Sequence, residues 1–129
     1  FLANRLQHAL SREAFAMVDE GICTPEDIDK AVRFGFGFRY IAAGPAMQRD
    51  HAGLEVHGAG GATIYPTLNN SPTIAKCLSD RIASGKFGMK TGEGFFTWTA
   101  ETIKAERERY QEALRAGLKI IQKDLPEIK

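Results

Sequence analysis

Apolar residues return every three or four positions along most of this chain, and that period decides its fold class. Leu6, Leu10, Ala14, Met17 and Val18 share one face of a segment running from Leu2 to Glu20. Gly21 suits the left-handed position that follows many helices. Thr24-Pro25-Glu26-Asp27 then restarts the helical pattern. The Thr24 hydroxyl can cap, Pro25 fits the first helical position, and two acids face the positive end of the dipole. Ile28, Ala31 and Val32 form the apolar face, and Gly35 and Gly37 end the segment.

Beyond Gly37 the signals are more mixed. Phe34, Phe36, Phe38 and Tyr40 alternate with Gly35, Gly37 and Arg39, which fits a short strand or an ordered loop. With no neighbouring segment to pair with, the loop is the preferred reading. Gly44-Pro45 opens a helix through Ala52, with Met47 expected inward. Leu54 to Ile64 carries a helical face, but Gly58, Gly60 and Gly61 weaken it by ~1 kcal/mol each relative to Ala. Ser71-Pro72 is expected to cap a helix bearing Ile74, Leu78 and Ile82 and ending at Gly85. Gly88, Gly92 and Gly94 mark a tight turn expected to drop Phe95, Phe96 and Trp98 into the core. A long amphipathic helix, Thr99 to Lys123, closes the pattern with a stripe of Ile103, Tyr110, Leu114, Leu118 and Ile121. The expectation is an all-α, compact domain of five to six helices over residues 1–129.

Composition narrows the function classes. Net charge is +1, so no global field favours nucleic acid or an anionic membrane. A basic stripe interleaved with aromatics is lacking as well. The chain has no apolar run near the ~20 residues that span a bilayer. Cys23 and Cys77 are widely separated and read as two reduced, buried thiols rather than a metal or redox pair. The default location is the cytoplasm.

Candidate chemistry is sparse. Asn4 offers two donors and one acceptor, which could hold a substrate oxygen or simply satisfy backbone at a helix start. Arg5 and Gln7 suit anchoring of loops or carboxylates. His8, His51 and His57 show no metal-ligand spacing, so no metal site is expected. Lys86 to Phe96 superficially resembles a phosphate loop, but Lys90-Thr91 precedes the glycines instead of ending a GxxxxGK[ST] run. A strand–GxGxxG–helix unit is lacking, so no residue here is expected to bind a dinucleotide. The chain begins Phe1-Leu2-Ala3-Asn4-Arg5-Leu6-Gln7, without Met and with a helical pattern already running. It reads as the second half of a larger unit, with the chemical partners of Asn4 lying upstream.

Three stretches in order carry a resemblance. Phe1-Leu2-Ala3-Asn4-Arg5-Leu6 is followed by Glu20-Gly21-Ile22-Cys23-Thr24-Pro25-Glu26-Asp27-Ile28-Asp29, and then by Gly88-Met89-Lys90-Thr91-Gly92-Glu93-Gly94-Phe95-Phe96-Thr97-Trp98. Together with Gly44-Pro45 they resemble the C-terminal helical domain of the 3-hydroxyacyl-CoA dehydrogenase family. The resemblance covers residues 1 to ~98 and implies a helical fold of the 6-phosphogluconate-dehydrogenase C-terminal type. It implies an upstream Rossmann domain, absent from this chain, that binds NAD and carries a catalytic His–Glu pair. It also implies a homodimer, an acyl-CoA substrate and a place in fatty acid metabolism. Asn4 matches the family's Asn-Arg-Leu asparagine, so the resemblance assigns it the catalytic-site role of positioning substrate near that histidine.

Tyr40-Ile41-Ala42-Ala43-Gly44-Pro45-Ala46 departs from the family's common Pro-Met-Gly-Pro-Phe. The Arg39-Tyr40 and Gly44-Pro45 arrangement is more similar to branches acting on polar or short hydroxy-acids, of the gulonate (lambda-crystallin-like) and carnitine types, with acyl-CoA kept as the leading substrate class. The leading reading is the helical domain of an NAD-dependent L-3-hydroxyacyl-CoA dehydrogenase of the short-chain hydroxybutyryl type, inactive by itself; the alternatives are a non-catalytic helical dimerisation module and the same domain of a dehydrogenase of short polar hydroxy-acids.

Overall fold

A computed structural model describes residues 1–125. Six α-helices follow in order: α1 Leu2–Asp19, α2 Pro25–Phe34, α3 Pro45–Ala52, α4 Leu54–Ile64, α5 Lys76–Ala83 and α6 Ala100–Ile121. Short 3-10 turns join or extend them, and the described residues contain no strand beyond two isolated bridges, Gly88 with Glu93 and Glu93 with Thr97. The all-α expectation holds. Among the described residues no helix is long and apolar enough to cross a membrane, and no cluster of ligating side chains could hold a metal.

The start signals of α2 and α6 work as their residues dictate. Thr24 Oγ1 accepts from Asp27 N at 3.1 Å and Asp27 Oδ2 accepts from Thr24 N at 2.9 Å, a reciprocal cap ahead of Pro25. Thr99 and Thr102 repeat the device at α6, with Oγ1 of each accepting the other's backbone N–H. The ambiguous Leu54–Ile64 segment is helical despite its glycines. Tyr65 explains one of them: its ring lies across Gly61, where an added Cβ would sit 3.2 Å from Cζ.

Five local expectations are corrected. Ser71-Pro72 does not cap α5, because Ser71 Oγ is taken up by Thr73 N at 3.2 Å and the helix begins only at Lys76. Ile74 therefore precedes the helix. Asp19, from the end of α1, caps α5 across space: Oδ2 accepts from Lys76 N at 2.7 Å and Oδ1 from Cys77 N at 2.8 Å. Met47 is 57% exposed, and its neighbour Gln48 is buried instead, donating from Nε2 to Ala43 O at 2.7 Å. Phe36–Ile41 is a 3-10 helix in place of the expected loop, because Gly35 ends α2 and the chain stays coiled against it. Phe96 faces solvent, while Phe95 carries the packing. Both cysteines are free and half-buried rather than buried.

The packed centre is small and lies on the second half of α1, where Ala14 and Ala16 are buried. Phe95 stacks on Phe15 with centroids 5.0 Å apart, and the Arg81 guanidinium lies over the Phe95 ring, 4.6 Å from its centroid. Arg81 is fixed in turn by Nη1 donating to Cys77 O at 2.7 Å and Nε to Gly94 O at 3.2 Å. This stack ties α1, α5 and the 88–98 turn into one unit. The turn needs Gly94, since a Cβ there would meet the Gly88 Cα at 2.8 Å. Leu2, Leu6 and Leu10 of α1 and Tyr110, Leu114 and Leu118 of α6 stay exposed.

Candidate functional site

Residues 1–10 are all exposed, so ~13 Å of α1 projects beyond the packed centre. Asn4 lies in this arm. Phe1 occupies the capping position without a side-chain cap, and the Asn4 side chain makes no hydrogen bond among the described residues. The arrangement leaves the amide's donors and acceptor available, and the helix-start role is not used.

At 100° per residue, Asn4, Ser11 and Phe15 fall within ~40° of one another around the helix, next to a face made by Arg5, His8 and Arg12. That face borders a groove of about 640 Å³, closed on the other side by Ser71–Ala75. Two carboxylates of α1 hold that opposite wall. Glu13 Oε2 accepts from Asn69 N at 2.7 Å, and Asp19 grips Lys76 and Cys77. Asn69 Oδ1 accepts from Ser71 N at 3.0 Å, which shapes the bend between these anchors.

The electrostatics around this wall are one-sided. Partial burial acts to raise the Asp19 pKa, but the N–H donors of Cys77 and Lys76 and the Lys76 charge outweigh it and hold the carboxyl below its usual value. The Cys77 thiol is pushed up, first by burial and then by its hydrogen bond to, and the charge of, Asp19. A thiol held protonated is a poor nucleophile, so Cys77 is a packing residue. Arg5, His8 and Arg12 take part in no ion pair among the described residues.

Sequence reasoning singled out Asn4, and α1 brings it beside Arg5 and His8. It missed Arg12 and the 71–75 wall. The signal was the spacing 5, 8, 12, one face of basic residues, but the opposing wall comes from sixty residues away and has no local mark. His51 lines a second groove of about 550 Å³ with Arg39, Arg49 and Gln48. His57 sits on α4, with Nε2 3.0 Å from the Tyr65 hydroxyl. The three histidines are therefore in separate settings. The Lys86–Phe96 segment is a folded turn in which Thr91 Oγ1 accepts from Phe87 N at 2.8 Å, so its hydroxyl is spent internally.

Residues 1–98 match the family model described as the C-terminal domain of 3-hydroxyacyl-CoA dehydrogenase. A Mesorhizobium japonicum protein named 5-formyl-3-hydroxy-2-methylpyridine 4-carboxylate 5-dehydrogenase is 36% identical over 118 residues, covering 89% of this chain and 38% of the relative. An L-carnitine dehydrogenase of Oceanobacillus iheyensis is 47% identical over 93 residues, 66% of this chain and 30% of the relative. A human lambda-crystallin homolog is 47% identical over 88 residues, 64% of this chain and 28% of the relative. The crystal structure of a 5-formyl-3-hydroxy-2-methylpyridine 4-carboxylic acid 5-dehydrogenase, described as an NAD+ dependent dismutase, superposes with a TM-score of 0.82 at 35% identity. That superposition covers 92% of this chain and 40% of the other. The chain thus spans less than two fifths of the length of these curated relatives. With the helical order, the capped α2 and the 88–98 turn all accounted for, the chain belongs to the 3-hydroxyacyl-CoA dehydrogenase family and corresponds to its C-terminal domain.

Proposed function

We propose that this chain is the helical domain of an NAD-dependent dehydrogenase, completing a substrate cleft whose cofactor site lies on an upstream Rossmann domain. The observation that carries the proposal is the family match over residues 1–98 together with relatives named as dehydrogenases. Asn4 would be the catalytic-site residue of this half, its free amide positioning the substrate oxygen or the upstream histidine. That histidine would take the hydroxyl proton while hydride passes to the nicotinamide. Names such as L-carnitine dehydrogenase among the relatives favour a small polar hydroxy-acid as substrate. A 3-hydroxyacyl-CoA of the hydroxybutyryl type, which the family's description supports, is the second reading.

Surface area supports a domain that is covered when assembled. The chain exposes 10518 Å². A folded monomer of its mass, 14.2 kDa, is expected to expose about 6,800 Å². The difference far exceeds the ~800 Å² that one partner buries in a standard interface. The proposal assigns the exposed Leu2, Leu6 and Leu10 face to the upstream domain and the α6 stripe with the α4 small-residue face to a second copy of the chain.

The test is Asn4→Ala in the full-length enzyme. The expected loss in kcat/KM is about tenfold or more, equivalent to ~1.4 kcal/mol of transition-state stabilisation, with the melting temperature unchanged. Unchanged kinetics would sink the role given to Asn4. Residues 1–129 alone are expected neither to bind NAD nor to oxidise substrate, and micromolar NAD binding to them in a calorimeter would contradict the division of labour.

A further inference from the structure

We propose that the groove between α1 and residues 71–75 is a carboxylate subsite, in which Arg5, His8 and Arg12 hold the anionic end of a small hydroxy-acid substrate. The inference rests on the dehydrogenase reading above and names the group that the substrate must carry. Three basic side chains line one wall of the same cavity, and no acidic side chain lines it. The nearest acids on α1 are already engaged or set apart. Glu13 accepts from Asn69 N, and Asp19 accepts from Lys76 N and Cys77 N. Asp19 and Glu20 line only a smaller adjoining cavity of about 110 Å³ on the far side of Arg12.

The rest of the lining says what kind of anion fits. Phe15, Ile74 and Leu78 make much of it apolar, which suits an organic acid whose non-ionic part leaves water. A guanidinium matches a carboxylate with two parallel N–H donors. His8 lies one turn from Asn4, a rise of ~6 Å along the axis. One small molecule can therefore reach Asn4 with its hydroxyl and the Arg5–His8 end of the groove with its carboxylate. In an acyl-CoA the carboxyl is a neutral thioester, and its phosphates lie many bonds from the reacting carbon. The groove thus separates a free acid from its CoA ester by charge at a fixed distance from the reaction centre.

The experiment uses titration calorimetry on the full-length enzyme with NADH present. Its probes are 3-hydroxybutyrate, the primary amide of the same acid, and 3-hydroxybutyryl-CoA. The acid is expected to bind about tenfold more tightly than the amide, the low end for a hydrogen bond to a charged group. Arg5→Gln is expected to remove most of that preference, Arg5→Lys to keep part of it, and neither to change affinity for the CoA ester. The Arg5 side chain is exposed and makes no hydrogen bond among the described residues, so its replacement leaves the fold intact. His8→Gln provides a second variant on the same face. The proposal is overturned if the acid shows no measurable binding, if Arg5→Gln changes acid and amide alike or neither, or if the loss falls on the CoA ester alone. Reduction of NAD is measured separately. Its absence would remove the dehydrogenase reading, whereas loss of the acid–amide preference removes only the subsite.

Discussion

Replacing Asp19 with Ala should loosen the start of α5 without touching any residue of that helix. The Ala75 position ahead of α5 contributes no side-chain cap, so Asp19 supplies the only side-chain acceptors for its first two N–H groups. A capping residue is worth ~0.5–2 kcal/mol, typically ~1. Two good contacts, at 2.7 and 2.8 Å, place Asp19→Ala in the upper half, at ~1–2 kcal/mol. The carboxylate is largely exposed, so its pairing with the Lys76 charge is screened and adds little. Asp19→Asn keeps one carbonyl acceptor and should lose about half as much. Hydrogen exchange of the α5 peptide in the full-length enzyme reads this opening directly. A loss of 1–2 kcal/mol corresponds to exchange roughly 5–30-fold faster for Lys76 and Cys77. The Asp19 pKa is lowered in the folded state, so its contribution is complete above the unfolded value of ~3.9 and is lost as pH falls through the lower folded value. The wild-type advantage should therefore be full at neutral pH and vanish only in strong acid. Exchange within threefold of wild type in Asp19→Ala, or an advantage that disappears near neutrality, would refute the reasoning.

Other outcomes follow from the same contacts. Phe95→Ala removes the ring that Phe15 stacks on and Arg81 lies over and should cost ~2–3 kcal/mol, below the range for a fully buried Phe because the site is only half-buried; a shift in denaturation midpoint reads it. Gly94→Ala forces a Cβ against the Gly88 backbone and should destabilise by ~1–3 kcal/mol in the same assay, with a neutral result contradicting the close approach. Thr99→Ala should fray the first turn of α6 by ~1 kcal/mol, visible as faster exchange at Thr102. Cys77 should alkylate more slowly than a free thiol at neutral pH, since burial and Asp19 keep it protonated; rapid labelling would contradict that placement.

The legible parts of the fold are those whose causes are local. Thr24-Pro25 and Thr99 set helix starts through atoms three residues away, and both are correct in the sequence. Gly44-Pro45 also opens its helix where expected. Ser71-Pro72 shows where that reasoning ends. Its hydroxyl has a nearer partner in Thr73, and the cap of α5 comes from Asp19, 57 positions away from Lys76. Met47 and Gln48 show a second boundary. On a short helix with little apolar contrast, the carbonyl of Ala43 selects which face turns inward. For the site, Asn4 and its basic neighbours are readable from helix geometry, but the groove is not, because half of it is a tertiary wall. The apolar stripe of α6 is correctly spaced, yet its Tyr110, Leu114 and Leu118 stay exposed, and the proposed dimer would cover them.

The division of α1 into a packed half and a projecting half gives the helix a mechanical property. Phe15 stacks on Phe95, over which Arg81 also lies, whereas Asn4 is eleven residues nearer the N-terminal end of α1, ~16 Å away along the axis. A stiff helix converts angle into displacement: a tilt of about 5° at Phe15 would move the Asn4 end by ~1.4 Å. Misplacement of ~1 Å in a reacting pair can cost ~100-fold in rate. In the proposed enzyme, the aromatic–guanidinium stack is an aiming device. Substitutions in the 88–98 turn should therefore appear as catalytic defects as well as losses of stability, although none of its residues lines the α1 groove.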